Sequence, residues 1–340
     1  MRIGIAFDLA PADRPEVGPD DQYEEFDKPE TVDALARVLE RAGHTVIRLG
    51  DGRELLANLL EEPLDFVWNL AEGEGVGRSR EARVPAVLEM MGIPYTGSDP
   101  LTLAVALDKS IAKSLVSHAV DVPLGCAIPA DASPERVASS LEQLDPGRGP
   151  WIVKPAFEGS SKGVRAHSLV DTMEQASTLA GRLATLYRQP ILVEEYITGD
   201  EVTVGIIGNG TGAEVIGTMR VRPKENDPYF VYSIEMKRDW SEQVVYEIPA
   251  QLPEDANDRL FKAALATYEI LGCRDVARID FRVRAGIPYF LEANPLPGLA
   301  PDWSDLVILS KGMGVSHADL ILRILDTALR RVGLGGGSAR

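Results

Sequence analysis

The stretch Val276–Asn294 constrains this chain more than any other part of it. Its first arm, Val276-Ala277-Arg278-Ile279-Asp280-Phe281-Arg282-Val283, alternates as a half-buried strand does. Ile279, Phe281 and Val283 face one way, and Arg278, Asp280 and Arg282 the other. In the second arm, Pro288 to Asn294, Tyr289, Leu291 and Ala293 are opposed to Phe290, Glu292 and Asn294. Gly286 lies between the arms, so an antiparallel hairpin is the economical reading. Folding about Gly286 sets Asp280 opposite Glu292 and Arg278 opposite Asn294. Cross-strand neighbours lie about 4.5–5.5 Å apart at Cβ. Two carboxylates at that separation repel unless a cation neutralises them. Magnesium prefers oxygen ligands and usually takes one or two carboxylates together with substrate phosphates. The stretch therefore reads either as an ordinary exposed strand face or as a magnesium patch.

A chain of 340 residues can build two or three domains around such a feature. The net charge of −17 argues against a nucleic-acid binder or an anionic-membrane binder, since those need a basic face. Cys126 and Cys273 are far apart and form neither a disulfide framework nor a metal-spacing motif. No apolar run approaches a membrane span, and no signal peptide precedes the first strand pattern, so the cytoplasm is the expected location.

Along the chain, residues 1–7 read as a strand and Asp8–Pro29 as a long acidic, proline-rich loop. Thr31–Ala42 reads as an amphipathic helix stopped by Gly43, Thr45–Leu49 as a strand, Leu55–Leu60 as a helix and Leu64–Leu70 as a strand. This order predicts a small parallel sheet. The charged, glycine-rich run Ala71–Glu81 follows a strand end and fits a ligand loop or a plain connector. After the helix Val84–Met91, Leu103–Ala119 is expected to be one helix carrying Lys109 and Lys113, lysines of a kind that usually face solvent. Glu194 and Glu201 stand at the ends of apolar strands, where an acid is costly without a partner. Glu214–Val221 reads as a strand leading into an irregular segment, and Asp255–Leu271 and 318–332 read as helices. Gly333–Arg340 reads as a disordered tail.

The second informative stretch is Trp151-Ile152-Val153-Lys154-Pro155-Ala156-Phe157-Glu158-Gly159-Ser160-Ser161-Lys162-Gly163-Val164. It reads as strand, loop, strand. The loop offers free backbone N–H groups, two hydroxyls and an ammonium, which suit phosphate oxygens. Its lysine is not followed by Ser/Thr and a helix, so it is no P-loop. The alternatives are a phosphate lid and an ordinary hairpin loop.

Lys109, Lys154-Pro155, the Glu158–Gly163 loop, Glu194-Glu195-Tyr196, Glu201, Arg278-x-Asp280 and Glu292-Ala293-Asn294-x-x-Pro297-Gly298 occur in one order. As an ordered set, with Ile93-Pro94-Tyr95-Thr96-Gly97-Ser98 as a domain link, they resemble the ATP-grasp ligases, and among them the D-alanine–D-alanine ligase family, over residues 64–330. The resemblance implies an α/β and α+β, three-domain ATP-grasp architecture: an N-terminal parallel-sheet domain (1–100), a central subdomain with the lid (101–190) and a C-terminal subdomain with the metal site (191–332).

The resemblance also implies a role for each matching residue. Lys109 and Lys154 contact the α- and β-phosphates of ATP, and Lys237 the γ-phosphate. Ser160, counted also among the catalytic residues, and Ser161 cover the phosphates. Glu194 bonds the adenine amino group, with the backbone of Glu195 and Ile197 at the same edge, and Glu201 takes the ribose hydroxyls. Asp280, Glu292 and Asn294 hold two magnesium ions, for which manganese can substitute. Arg278 and the Gly298 N–H stabilise a tetrahedral intermediate. A carboxylate–amine ligase acting through an acyl phosphate follows, with amino-acid or small-acid substrates, a place in peptidoglycan synthesis and a homodimeric state.

Departures fall at the substrate end. The family's Gly-Gly-x-Ser-x-Glu segment is absent, its His-Gly is replaced by Asn69-Leu70-Ala71-Glu72-Gly73, and Arg238 stands where a tyrosine usually follows the lysine. Leu299–Ser304 replaces Met-Thr-x-x-Ser. Glu72, Arg238 and Ser304 are thus the candidate substrate residues, and the first two favour polar or charged substrates. Ligation of other amino acids or small acids is the close rival to D-alanine ligation. A non-catalytic nucleotide binder and a small-molecule-binding module are the readings from other classes.

Overall fold

The computed structural model describes residues 1–11, 18–225 and 227–335. Three sheets organise them. Strands β1 (Arg2–Ala6), β2 (Thr45–Gly50) and β3 (Phe66–Asn69) form a parallel sheet in the order β2-β1-β3. Strands β4 (Gly125–Ile128), β5 (Trp151–Pro155), β6 (Leu169–Val170) and β7 (Ile191–Glu195) form an antiparallel sheet, β4-β7-β5-β6. Strands β8 (Asp200–Gly208), β9 (Glu214–Pro223), β10 (Val244–Glu247), β11 (Asp275–Arg284) and β12 (Ile287–Asn294) form the largest sheet, β10-β9-β8-β11-β12. No helix of the described residues is long and apolar enough to cross a membrane.

The first and last parts of the chain share a core. Ile3, Ile5, Phe66 and Trp68 of the parallel sheet pack with Leu320, Ile321 and Ile324. Those three lie on the helix His317–Arg331, whose apolar stripe recurs at helical spacing. Ion pairing adds a tie: Arg331 bonds Asp275 Oδ2 at 2.7 Å and the Tyr95 carbonyl at 2.7 Å. The parallel sheet is thereby tied to the largest sheet through this helix.

The hairpin forms in the expected register. Arg278 pairs with Asn294 and Asp280 with Glu292. The turn is tighter than a fold centred on Gly286: Arg284 pairs with Ile287, and both Ala285 and Gly286 have positive φ. Continued without interruption, that turn would place Asp280 opposite Leu291. An irregularity between Asp280 and Phe281 restores the Asp280–Glu292 pairing, as a β-bulge does. The bulge also breaks the alternation expected of the second arm. Phe290 faces the core with Ala293, stacked edge-on to Phe281 at 6.1 Å, while Glu292 and Asn294 face the cleft.

Other expectations are corrected. The segment Leu103–Ala119 is two helices, Pro100–Leu107 and Lys109–Val116. Asp108 breaks them and caps the second, accepting from the Ile111 N–H at 3.2 Å. Lys109 and Lys113 are buried rather than solvent-facing, because both turn inward to carboxylates and carbonyls. No strand follows the lid at Val164; a short turn, Ala166–Ser168, leads to β6. The irregular region after β9 contains the helix Ile234–Arg238 and then β10. The helix Asp305–Gly312 had no counterpart in the expected elements. Of the acidic loop, residues 12–17 lie outside the described residues, as do 336–340 of the expected tail.

Candidate active site

The cleft between the two antiparallel sheets collects nearly every residue singled out in the sequence. A cavity of about 800 Å³ is lined by Lys109, Ser160, Lys237, Arg238, Arg278, Glu292, Asn294, Gly298, Ser304 and Glu72. A narrower cleft shares the Lys109, Lys237 and Glu292 wall and continues past Lys154, Ser161, Glu194, Glu195, Ile197, Glu201 and Asp280.

The floor is the hairpin. Arg278 donates to Asp280 Oδ2 from Nε at 3.2 Å and from Nη2 at 3.0 Å, and to Asp305 at 3.1 Å. Asn294 Nδ2 reaches Asp280 at 3.2 Å, and Thr203 Oγ1 donates to it at 2.8 Å. Lys109 Nζ lies 3.1 Å from Glu292. Burial pushes the Asp280 carboxyl up to about 6, against the pull of Arg278. Burial alone would raise Glu292 too, but Lys109, Arg278, Lys154 and Lys237 outweigh it and hold this carboxyl well below its ordinary value. Among the described residues no three His, Cys, Asp or Glu side chains gather into a closed metal cage. Two carboxylates and an amide oxygen facing a cleft rich in lysine fit a magnesium ion that completes its shell with phosphate oxygens.

At the inner end, Glu194 is met by Lys154 at 2.6 Å and Lys113 at 3.2 Å. The Lys113 contact is an ion pair without hydrogen-bond geometry, so Glu194 Oε2 is a buried acceptor with no donor among the described residues. Burial pushes the Lys113 ammonium down to about 8, although Glu194 opposes the shift. Glu201 pairs with Arg282 at 2.8 Å. The Glu195 side chain accepts from Arg284 at 2.6 Å, and its N–H donates to the Leu124 carbonyl at 2.7 Å. Lys237 Nζ sits 5.0 Å above the Tyr232 ring and 3.9 Å from Asp305.

The lid is pinned from both sides. Ser160 and Ser161 have positive φ, 48° and 59°, and Ser161 Oγ donates to the Tyr232 carbonyl at 3.0 Å. The lid's other partners come from the acidic N-terminal loop. Glu25 accepts from the Gly159 N–H, from Lys162 at 2.8 Å and from Arg80 at 2.7 Å. Asp21 accepts from the Gly163 N–H at 2.9 Å and from the Tyr187 hydroxyl at 2.8 Å. Arg238 bonds Glu24 and Asp20 of the same loop. Gly163 has φ +73°, and a Cβ there would lie 2.4 Å from Pro155 Cγ. Gly163→Ala should therefore cost about 1–3 kcal/mol through strain and displace the lid. A weaker ATP affinity and a lower melting temperature are the expected readouts; wild-type values for both would contradict the geometry.

Asp27, Glu72 and Glu81 line the cavity, and Asp8 lies behind them, accepting from the Glu72 and Gly73 N–H groups. Burial pushes Asp8 up to about 6, Asp27 to about 7 and Glu81 to about 8; Glu72 rises well above its ordinary value, with Glu81 adding repulsion. These acids hold protons more tightly folded than unfolded. Their contribution to stability is complete below the unfolded values, 3.8 to 4.5, and is lost as pH rises through about 6 to 8. The ligand-free protein should melt higher at about pH 5.5 than at about pH 8; a thermal scan showing the reverse would refute this balance. Ser304 accepts from the Ala300 N–H at 3.0 Å beside Gly298, whose own N–H makes no hydrogen bond among the described residues.

Several participants escaped the sequence reading. Glu158 and Lys162 lay within the quoted lid motif, and Arg80-Glu81 within the charged loop. Asp305, Thr203, Lys113, Asp21 and Glu25 carried no local signal.

A family model described as "D-ala D-ala ligase C-terminus" matches residues 132–326. A D-alanine–D-alanine ligase of Geobacter sulfurreducens is 33% identical over 311 residues, covering 90% of each chain. An uncharacterized protein, y4sG, of Sinorhizobium fredii is 34% identical over 309 residues, covering 88% of this chain and 87% of that one. The fold matches a D-alanine–D-alanine ligase of Bacillus anthracis crystallised with ATP, at a TM-score of 0.73 and 23% identity, over 99% of this chain and 100% of the other. The three-sheet architecture is thus that of an ATP-grasp protein, and the chain belongs to the D-alanine–D-alanine ligase family.

Proposed function

We propose that this protein is an ATP-dependent carboxylate–amine ligase, working between lobes 1–100, 101–190 and 191–332. One observation carries the reading: Arg278, Asp280, Glu292 and Asn294 share one face of the hairpin, opposite Lys109, Lys154 and Lys237. Glu194 Oε2, a buried acceptor, takes the adenine amino group, and the Glu195 and Ile197 backbone lies at the same edge. Glu201 holds the ribose. Lys109 and Lys154 bind the α- and β-phosphates, Lys237 the γ-phosphate, and Ser160 and Ser161 close over them. Asp280, Glu292 and Asn294 would hold two magnesium ions, which supply neutralisation of phosphate charge. A substrate carboxylate oxygen attacks the γ-phosphorus of ATP, the bond to the bridging oxygen breaks, ADP leaves, and an acyl phosphate forms. An amine attacks its carbonyl carbon and phosphate leaves with the electron pair of the broken C–O bond. Arg278 and the unused Gly298 N–H receive the oxyanion, and the closed lid keeps water from the acyl phosphate.

The substrates are small amino or carboxylic acids, and we propose a homodimer acting in the cytoplasm. D-Alanine ligation is the default set by the family. Ligation of other amino acids is favoured by Glu72 on the cavity wall and by Arg238, which is spent on Asp20 and Glu24. Phosphate release with ATP and magnesium across D- and L-amino acids, with product masses, separates these readings. D-Alanyl-D-alanine as the product supports the default, and another dipeptide or amide supports the rival. Tight ATP binding with no turnover on any pair would leave a nucleotide-binding protein.

A further inference from the structure

One wall of the cavity gathers two acids that its neighbours leave unpaired. Glu81 is only 7% exposed, and its carboxylate lines the cavity. Among the described residues it has no hydrogen bond and no ion pair; burial and more distant charges alone act on it. Glu72, half-buried on the same cavity wall, also has a side chain with no hydrogen bond and no ion pair among the described residues. The nearby cations are committed elsewhere. Arg80 donates to the Phe157 carbonyl at 2.6 Å and to Glu25 at 2.7 Å. Lys162 is shared between Glu25 at 2.8 Å and Glu158 at 2.5 Å. Lys109 is held by Glu292 and the Glu158 carbonyl. A carboxylate so deeply buried is costly unless a cation meets it.

We infer that Glu72 and Glu81 receive a cationic side chain, an ammonium or guanidinium, on the amino acid whose carboxylate is activated. The inference rests on the ligase reading above. Glu81 shares its wall with Lys109, which touches Glu292 at the phosphate end. An acid whose carboxylate lies at that end would extend its side chain toward Glu81 and Glu72. One α-ammonium balances a single carboxylate, so a second positive charge is needed to satisfy both. Burial first, and then repulsion from Glu81, favours a proton on Glu72, and a cation between the two acids would relieve the repulsive part.

The test is calorimetric titration of the full chain, loaded with ADP and magnesium, with D- and L-forms of 2,4-diaminobutyrate, ornithine, lysine and alanine. At least one diamino acid should bind about tenfold or more tighter than alanine. Glu81→Gln and Glu72→Gln should each reduce that preference about tenfold. Alanine binding as tightly as every diamino acid in the wild type overturns the inference, and so does a preference unmoved in both variants. Should either variant fail to fold, the wild-type preference decides alone. The ligase reading is judged separately by phosphate release. Turnover with neutral amino acids only, and no diamino-acid binding, overturns the cationic wall and leaves the ligase. Diamino-acid binding without turnover on any pair does the opposite.

Discussion

Replacing Arg278 with alanine should slow phosphate release about 10²–10³-fold while ATP binding persists. The size of the effect follows from what the guanidinium does in the cleft. Among the described residues it is the only group bonded at once to Asp280 and Asp305, and its Nη2 lies 3.8 Å from Glu292. It holds those carboxylates in place and, in the proposed chemistry, faces the oxygen on which charge develops. A donor aimed at that position acts in the transition state and contributes little to nucleotide binding. In the proposed site the ATP contacts would run instead through Lys109, Lys154, Glu194 and Glu201, which the substitution leaves alone. Arg278→Lys should recover little, because an ammonium cannot reproduce the planar fork that spans Asp280 and Asp305. Single-turnover phosphate release and displacement of a fluorescent ATP analogue measure the two halves. Full activity in Arg278→Ala would remove this residue from the mechanism.

Glu25→Ala should destabilise the protein by about 3–5 kcal/mol and loosen the lid. Glu25 sits between Lys162 and Arg80 with its side chain 2% exposed, and also accepts the Gly159 N–H. Its loss leaves two buried cations sharing Glu158 alone. A buried charge stripped of its partner costs far more than the pair was worth. The lid loses an anchor at the same time, so water should reach the phosphates. The expected signature is a lower melting temperature together with ATP hydrolysis in the absence of any acceptor amine. Burial would raise the Glu25 carboxyl, but Lys162 and Arg80 outweigh it and hold it down to about 2. Its contribution is therefore complete above its ordinary value of 4.5 and lost as pH falls toward about 2. The acid limb of the stability profile should flatten in the variant. An unchanged limb and a wild-type melting temperature would show that the clamp contributes nothing.

The same pair of residues marks where sequence reading stops. The hairpin was legible because its cues are local: period-two alternation, a glycine between the arms and acids at matching distances from it. Even so, the bulge at Asp280 was not. A turn one residue tighter than expected and an irregularity that cancels it leave the same carboxylate pairing, while Phe290 turns inward. Lys109 and Lys113 were misread as solvent-facing because a helix shows which residues share a stripe, not which carboxylates stand opposite. Asp108 divides that helix, and the break brings the Lys109 N–H to the Ala156 carbonyl at the root of the lid.

The sequence by itself determined the parallel first sheet, the hairpin register and the ordered set of lysines, acids and lid glycines that marks the family. Each depends on periodicity or spacing within a short window. Tertiary structure alone decided that the acidic N-terminal loop clamps the lid, that Asp305 supports Arg278, and that Glu72 and Glu81 face the cavity unpaired. Glu25 and Gly159 are 134 residues apart. Pairing over such a distance depends on how the sheets pack, and no local pattern encodes it.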